Sequence, residues 1–533
     1  MNTLNADTDV DLLRSRASQQ IRSNQLDAAQ ATLQALIRAA PDDVPACLEL
    51  SDLMFRSGEY QASSRPLLQA AEHLPKNAPL LVHLVQHLIA RGEIVTARMC
   101  LDFLAQAPNP PSELLVAEAH QRFTLGEIEV AKEHAERALA SGADSPDDYH
   151  LYAMLLQFTG DVEKAEGVLE KALRRWPDFG DAMVALVNLR KQKPDTTFLE
   201  HIEKQLKTIP SHDGGATKKF IRAEFEYARF KTLDDLGCED EAWSSLERCN
   251  ALMHELNPYD IQAEDALINA FVESSDLFGE VESVKQRFEG PTPIFIVGMP
   301  RTGTTLLDRM LSSHSKVTTA GELIEFWRQL HWVADERPQK TQSLRKIVAR
   351  NAEINFREVG ERYLEHTQWR ANGCAFYIDK LPANIQMVAF IRRALPHAPI
   401  LHMVRAPMDV CFSNFKALFG NTSSYSYDLE SMAHFYRGYS RLCAHWHASS
   451  PNCMLDVPYA SLVSDPQSVM QKVLAYCGLD IEEACLYPER NMAPVATPSS
   501  VQVREPIHQR GVGQWQRYAK HLEPLREALS DLL

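Results

Sequence analysis

From residue 24 onward the chain repeats a three-part signal every 34 positions. A turn residue stands at Asn24, Gly58, Gly92, Gly126 and Gly160. An apolar residue follows two positions later at Leu26, Tyr60, Ile94, Ile128 and Val162, and a small one five positions after the anchor at Ala29, Ser63, Ala97, Ala131 and Ala165. Two helices that reverse direction and approach closely need this combination of turn, knob and small residue. Pro41, Pro75 and Pro177, each 17 residues after its anchor, stop the second helix, because proline has no N–H to donate and its ring clashes with the turn before it. The pattern predicts helical hairpins over roughly residues 7–190. Beyond Pro194 the phase is lost, although Gly237 followed by Ala242 predicts one more degenerate hairpin, and residues 191–289 read as bridging helices.

At Gly290 the helical period gives way to Ile294–Val297, a short apolar run with the composition of a buried parallel strand. Gly298-Met-Pro-Arg-Thr-Gly-Thr-Thr305 follows, then an amphipathic helix through Leu306, Leu307, Met310 and Leu311. Strand, glycine loop and helix form a phosphate cradle, because the loop's N–H groups and the positive helix terminus point at one anion. A loop that handles nucleoside triphosphates carries lysine after its second glycine, and here that position is Thr304. Without the lysine, and with no metal-binding acid evident at the end of a second strand, triphosphate hydrolysis loses its usual charge stabilisation. Arg301 supplies a cation inside the loop instead. A nucleotide-kinase variant and a coincidental glycine turn stay as alternatives at this point.

About 100 residues on, Ala398–Val404 forms a second apolar strand ending in Arg405, with Pro407 at the first turn of the next helix and Ser413 eight residues after the arginine. Arginine suits an anion site because its planar fork donates bidentately to phosphate and stays charged at any relevant pH. Two anion sites at the carboxyl ends of two parallel strands fit the edge where open α/β sheets bind ligands.

The 533-residue chain is long enough for two to four domains, and a composition of 45% hydrophobic and 24% charged residues is that of a globular protein. Its net charge of −16 is unevenly spread: residues 290–533 carry +3, and residues 1–289 hold −19. Nucleic acid is therefore not an expected partner of the N-terminal part. The ten cysteines, from Cys47 to Cys485, show neither C-x-x-C spacing nor a compact cluster with histidine, so no metal site and no disulfide framework is expected. With no apolar run near the ~20 residues of a membrane span and no signal pattern in Met1–Arg14, a cytoplasmic location is expected.

The five in-phase copies resemble the tetratricopeptide repeat, an array whose concave groove binds peptides or extended segments. Pro300-Arg-Thr-Gly-Thr-Thr305 after an apolar strand resembles the phosphosulfate loop of sulfotransferases, which use 3'-phosphoadenosine 5'-phosphosulfate (PAPS), and Arg405 with Ser413 resembles the pair that holds its 3'-phosphate. Residues 290–533 are similar to the protein-tyrosine sulfotransferase branch, and the whole chain to the tetratricopeptide-repeat sulfotransferases of bacteria. The resemblance implies an N-terminal helical solenoid (1–190), a bridging region (191–289) and a P-loop-like three-layer α/β domain with a parallel sheet (290–533).

The same resemblance assigns roles. Arg301, Thr302, Gly303, Thr304, Thr305, Arg405 and Ser413 bind PAPS, Tyr459 in Val457-Pro-Tyr459 lies near the adenine, and Arg504 and Arg510 sit where related enzymes close a loop over the nucleotide. Glu322, 21 residues after Arg301, takes the role of general base, with Glu325 as the second candidate. A carboxylate near ~4.3 is a weak base for a phenol near ~10, and burial would strengthen it. Lys380 in Asp379-Lys-Leu-Pro-Ala-Asn384 stabilises the leaving group, with Asn384 orienting it, and no metal is needed. Ile324 departs from an arginine that engages acidic peptides in the tyrosine-specific enzymes. Peptidyl tyrosine, a glycan, a lipid and a small phenol all stay open as acceptors, as does a repeat scaffold with an idle nucleotide-binding domain. The repeats recruit substrate, recruit a separate partner, or mediate an oligomer.

Overall fold

The computed structural model describes residues 3–210, 214–274, 277–279, 288–497 and 500–533. Within the expected bridging region, 211–213, 275–276 and 280–287 lie outside the described residues. The chain divides into two compact units. One comprises Met1–Ala143, Ile324–Trp369 and Arg393–Leu395, the other Asp144–Leu323, Arg370–Arg392 and Pro396–Leu533.

The first unit holds four helical hairpins: Thr3–Arg22 with Leu26–Ala39, Val44–Ser57 with Ser64–Glu72, Ala78–Arg91 with Ile94–Leu104, and Ser112–Thr124 with Ile128–Ala140. Each anchor follows the first helix in left-handed backbone, with φ of 56° at Asn24, 91° at Gly58, 83° at Gly92 and 77° at Gly126. Glycine and asparagine tolerate that conformation where a side chain with a bulky Cβ does not. The small positions Ala29, Ser63, Ala97 and Ala131 are fully buried between paired helices. Segment 324–369 belongs to this unit as well. Gln329 Nε2 donates to the carbonyl of the anchor Gly92 (2.8 Å), Trp332 Nε1 donates to Ser64 Oγ (3.0 Å), and Arg362 pairs with the buried Glu93 (2.9 Å).

The second unit opens with a fifth hairpin, Pro146–Thr159 with Val162–Arg175, turning at Gly160 (φ 95°). The degenerate hairpin also forms: Gly215–Leu236 and Glu239–Leu256 flank Gly237 (φ 81°), and Ala242 is fully buried. Its Tyr227, Phe230, Trp243 and Leu246 share one core with Met299, Met408, Val410 and Phe412.

The remainder is an α/β domain. Strands β1 (Thr292–Gly298), β2 (Val317–Thr319), β3 (Phe376–Asp379), β4 (Ile400–Val404) and β5 (Leu455–Pro458) form one sheet in the order β2-β3-β1-β4-β5, parallel at every pairing. Ile294 and Ile296 of β1 share a core with Leu307, Met310, Met403 and Val473, so helices Thr304–Leu311 and Pro466–Cys477 cover one face. On the other face, Tyr439 of helix Leu429–Ser449 reaches His402 of β4. Strands buried on both faces explain the near-continuous apolar runs in the sequence. No described helix is long and apolar enough to cross a membrane.

Candidate active site

β1 ends at Gly298 (φ 145°), where an added Cβ would lie 2.9 Å from the Met403 carbonyl of β4. The loop turns through Arg301, a non-glycine residue at φ 67°, and Gly303 (φ 107°) caps helix Thr304–Leu311. A Cβ on Gly303 would meet Tyr459 Cδ2 at 2.5 Å, so the second loop glycine is fixed by sterics as well as by backbone conformation. Left-handed backbone at a residue with a side chain costs ~1–3 kcal/mol and persists only where its surroundings enforce it. Here Asn414 Nδ2 donates to the Pro300 carbonyl (2.8 Å), Arg405 Nη1 donates to the Arg301 carbonyl (2.7 Å), and Thr302 Oγ1 donates to the Met299 carbonyl (2.8 Å).

A cavity of about 550 Å³ opens at the carboxyl edge of the sheet. Arg301, Gly303, Thr304, Thr305, Glu322, Arg405, Ser413 and Tyr459 all line it. Thus eight of the residues singled out in the sequence meet in one place, contributed by the β1 loop, the chain after β2, and the ends of β4 and β5. Thr302 is turned into the protein and is not part of the wall.

The cation balance is set by burial. Arg301 and Arg405 are both pushed below the ordinary arginine value, chiefly by desolvation. Lys416 is lowered to about 8 by burial, with the charges of Arg301 and Arg405 adding to the effect. Lys416, Asn414 and Asp409 had no role in the sequence reading although they flank Ser413 in the same short segment. Asp409 accepts the Gly513 N–H at both oxygens (2.9 and 3.0 Å), and Lys416 Nζ donates to Gln514 Oε1 (2.8 Å). Arg405 Nη2 donates to the Gly511 carbonyl, and its guanidinium lies 4.9 Å from the centre of the Tyr459 ring. Segment Gly511–Gln514 is thereby held against the Arg405 end of the cavity.

Lys380 and Glu322 form an ion pair across the end of β3. Lys380 is almost fully buried and Glu322 is 42% exposed, so pairing rather than burial is the dominant feature of the candidate base. Lys380 does not line the cavity; it stands behind Glu322. Asn384 Nδ2 reaches Asp379 Oδ1 at 3.4 Å. Asp308, one turn into the phosphate-loop helix, is raised to about 6 by burial, with Lys380 among the opposing charges. Glu325 is buried with Arg328 at 3.5 Å and is not a wall residue.

Arg504 and Arg510 are placed elsewhere. Arg504 donates to the Phe158 carbonyl (2.9 Å) and packs on Gly160, where an added Cβ would lie 3.0 Å from its Cζ. Arg510 pairs with Glu505 at the surface. Their neighbours Gln502, Val503, Glu505, Pro506 and Ile507 do line the cavity. Val495 N also donates to the Phe158 carbonyl (2.9 Å), and Gln157 Nε2 donates to Ser500 Oγ (2.9 Å), so the turn of the fifth hairpin pins this wall.

A parallel α/β sheet whose edge gathers a glycine loop, a helix N-terminus and an arginine–serine pair defines a P-loop-like domain, an arrangement suited in general to phosphorylated ligands. Residues 293–483 match the family model described as the Sulfotransferase family, and the chain is a helical-repeat protein carrying a domain of that family. It is 24% identical over 535 residues to an uncharacterized protein of Aquifex aeolicus, covering 91% of this chain and 69% of that one. It is 27% identical over 238 residues to a protein-tyrosine sulfotransferase of Drosophila melanogaster, covering 42% of this chain and 46% of that one. Among solved structures, the sulfotransferase domain of the Synechococcus PCC 7002 olefin synthase overlays 44% of this chain and 90% of its own, at 22% identity and a TM-score of 0.32. A tetratricopeptide repeat protein of Parabacteroides merdae overlays 46% of this chain and 93% of its own, at 14% identity and the same TM-score.

Proposed function

We propose that the domain moves the sulfuryl group of PAPS to an acceptor hydroxyl in the 550 Å³ cavity. The observation that carries this reading is the convergence of Arg301, Thr304, Thr305, Arg405 and Ser413 with Glu322 on one cavity wall. The donor set fits a nucleotide with a phosphate at each end. The N–H groups at the start of helix Thr304–Leu311 suit the 5' end, and Arg405 with Ser413 suits the 3' end. Arginine has five N–H donors, and Arg405 uses two of its nitrogens on carbonyls while its buried Nε makes no hydrogen bond, so capacity for a phosphate remains. Tyr459 offers a ring face for the base.

When bound, PAPS supplies the sulfuryl group on an activated phosphate; the chain supplies position and proton movement. In the ion pair, Glu322 Oε1 is occupied by the hydrogen bond from Lys380 Nζ. For Glu322 to act as base, the Lys380 ammonium has to turn from behind it into the cavity, toward the oxygen on which charge develops; Glu322 Oε1 is then released and takes the proton of the acceptor hydroxyl. Lys380 thus couples leaving-group stabilisation to activation of the base.

The apolar side chains of Leu381, Pro382, Val503, Pro506 and Ile507 share the cavity with Glu322 and suit an aromatic ring better than a polyhydroxylated sugar. We read the acceptor as a phenol, with peptidyl tyrosine presented by the repeats as the leading case. The test is transfer of labelled sulfate from PAPS to tyrosine peptides, small phenols and oligosaccharides without added magnesium. Labelled phenolic product is expected; labelling of sugar alone overturns the acceptor, and phosphate transfer from ATP with magnesium overturns the chemistry.

A further inference from the structure

One group of ligating side chains lies outside the cavity and has no part in the proposed transfer. His402 of β4 and Asp456 of β5 are direct partners in the parallel register, so their side chains leave the same face of the sheet. Helix Leu429–Ser449 covers that face and presents Tyr439, Cys443 and His447 four residues apart along one stripe. The result is a cluster from three elements. His402 Nδ1 lies 2.7 Å and His447 Nε2 3.2 Å from the same oxygen, Asp456 Oδ1. One ligand atom from each of the three residues lies within 4.8 Å of the others. The sequence hid this because His402, His447 and Asp456 are spread over 54 positions with no short motif between them.

The geometry points to a divalent-cation site, with zinc the fitting ion, formed by His402 Nδ1, His447 Nε2 and Asp456 Oδ1. Two imidazoles and a carboxylate are a borderline-soft ligand set that favours zinc over magnesium or calcium. In a tetrahedral site with bonds of about 2.0–2.1 Å, neighbouring ligand atoms stand about 3.3 Å apart. The His447–Asp456 separation already matches, and the His402–Asp456 contact has to open by roughly 0.6 Å. The second ring nitrogen of His402 is also provided for: Nε2 lies 2.6 Å from the Tyr439 hydroxyl, with Cys443 Sγ at 3.7 Å. An N–H held by an outer partner fixes the tautomer and leaves Nδ1 to ligate, as metal-binding histidines generally require. Access comes from outside, since His402 is 4% exposed but His447 and Asp456 are 37% and 46% exposed. Water completes the fourth position. The ion ties β4 and β5 to the covering helix, three residues before Arg405.

The full-length chain, stripped of metal, is titrated with cobalt(II) as a spectroscopic probe and then with zinc in competition. One equivalent of tetrahedral cobalt, displaced by zinc, is expected. His447→Ala and the nearly isosteric Asp456→Asn, each confirmed folded by circular dichroism, are expected to weaken cobalt binding by at least about 100-fold, beyond the loss seen when only an outer partner is removed. Zinc should raise the unfolding temperature of the wild-type chain and leave that of both variants unmoved. Absence of the tetrahedral spectrum in the wild-type chain, or equal binding by the wild-type and both variant chains, overturns the site.

Discussion

The hairpin turns and the phosphate loop both depend on glycines in left-handed backbone, yet for different reasons. At Gly58 the turn faces solvent, and an added Cβ would meet nothing within 4 Å. At Gly303 the same addition would strike the Tyr459 ring, and at Gly298 the Met403 carbonyl. The Gly58 turn needs only a conformation, which a residue such as asparagine adopts at a modest cost, whereas at Gly160 an added Cβ would also press on Arg504. The loop needs that conformation and empty space beside it, because the backbone must approach both the neighbouring strand and the Tyr459 ring. Arg301 shows the contrast from the other side: a side chain is carried into left-handed backbone where it adds a cation, and hydrogen bonds from Arg405 and Asn414 to the adjacent carbonyls hold it there.

The largest effect expected lies in the chemistry the loop serves. Glu322→Ala should lower kcat about 10³-fold, the usual share of a positioned acid–base group, while the nucleotide Kd moves by less than a few-fold. Steady-state kinetics with parallel calorimetry separates the two, and an equal loss in both would remove Glu322 from the role of base. Next comes the glycine comparison itself. Gly303→Ala should weaken nucleotide binding by about 100-fold, or roughly 2.8 kcal/mol, because Tyr459 must move to admit the methyl group. The counterpart Gly58→Ala belongs at the small end: about 1 kcal/mol of stability lost to left-handed strain, read from the urea midpoint, with sulfation of a small phenol unchanged. Equal consequences at the two glycines would dissolve the distinction.

Between these falls a pH effect. Burial raises Asp308 to about 6, so the native state holds this proton more tightly than the unfolded chain does. The associated stability is full below pH ~4, falls as pH rises toward about 6, and is absent above it. Asp308→Asn should therefore leave stability at pH 4 unchanged and raise it at pH 8 by on the order of 2–3 kcal/mol. A variant equally stable relative to wild type at both pH values would contradict the assignment.

The repeats were legible because the demand for left-handed backbone recurs at fixed spacing and selects glycine or asparagine each time. That Arg301, Thr305, Arg405 and Ser413 line one cavity was legible for a related reason: strand, loop and helix are contiguous, so Arg301 and Thr305, or Arg405 and Ser413, keep their geometry within a few residues of chain. What escaped was decided by contacts distant in sequence. Nothing local announces that Gln329 and Arg362 join the third hairpin, that Arg504 turns to the Phe158 carbonyl, or that Glu322 is exposed and paired with Lys380 58 residues away. The His402–Asp456 pair likewise exists only because β4 and β5 are neighbours.

The claim on which the functional reading depends is that one cavity grips a nucleotide at both of its phosphates. Calorimetric titration of wild type and Arg405→Ala with adenosine 3',5'-bisphosphate, without magnesium, tests it most directly. Saturable one-to-one binding by wild type and a Kd raised about 10–100-fold in the variant, the loss of charge-assisted hydrogen bonds to one phosphate, is the predicted result. Failure of the wild-type chain to bind, or the same Kd in both proteins, would contradict it.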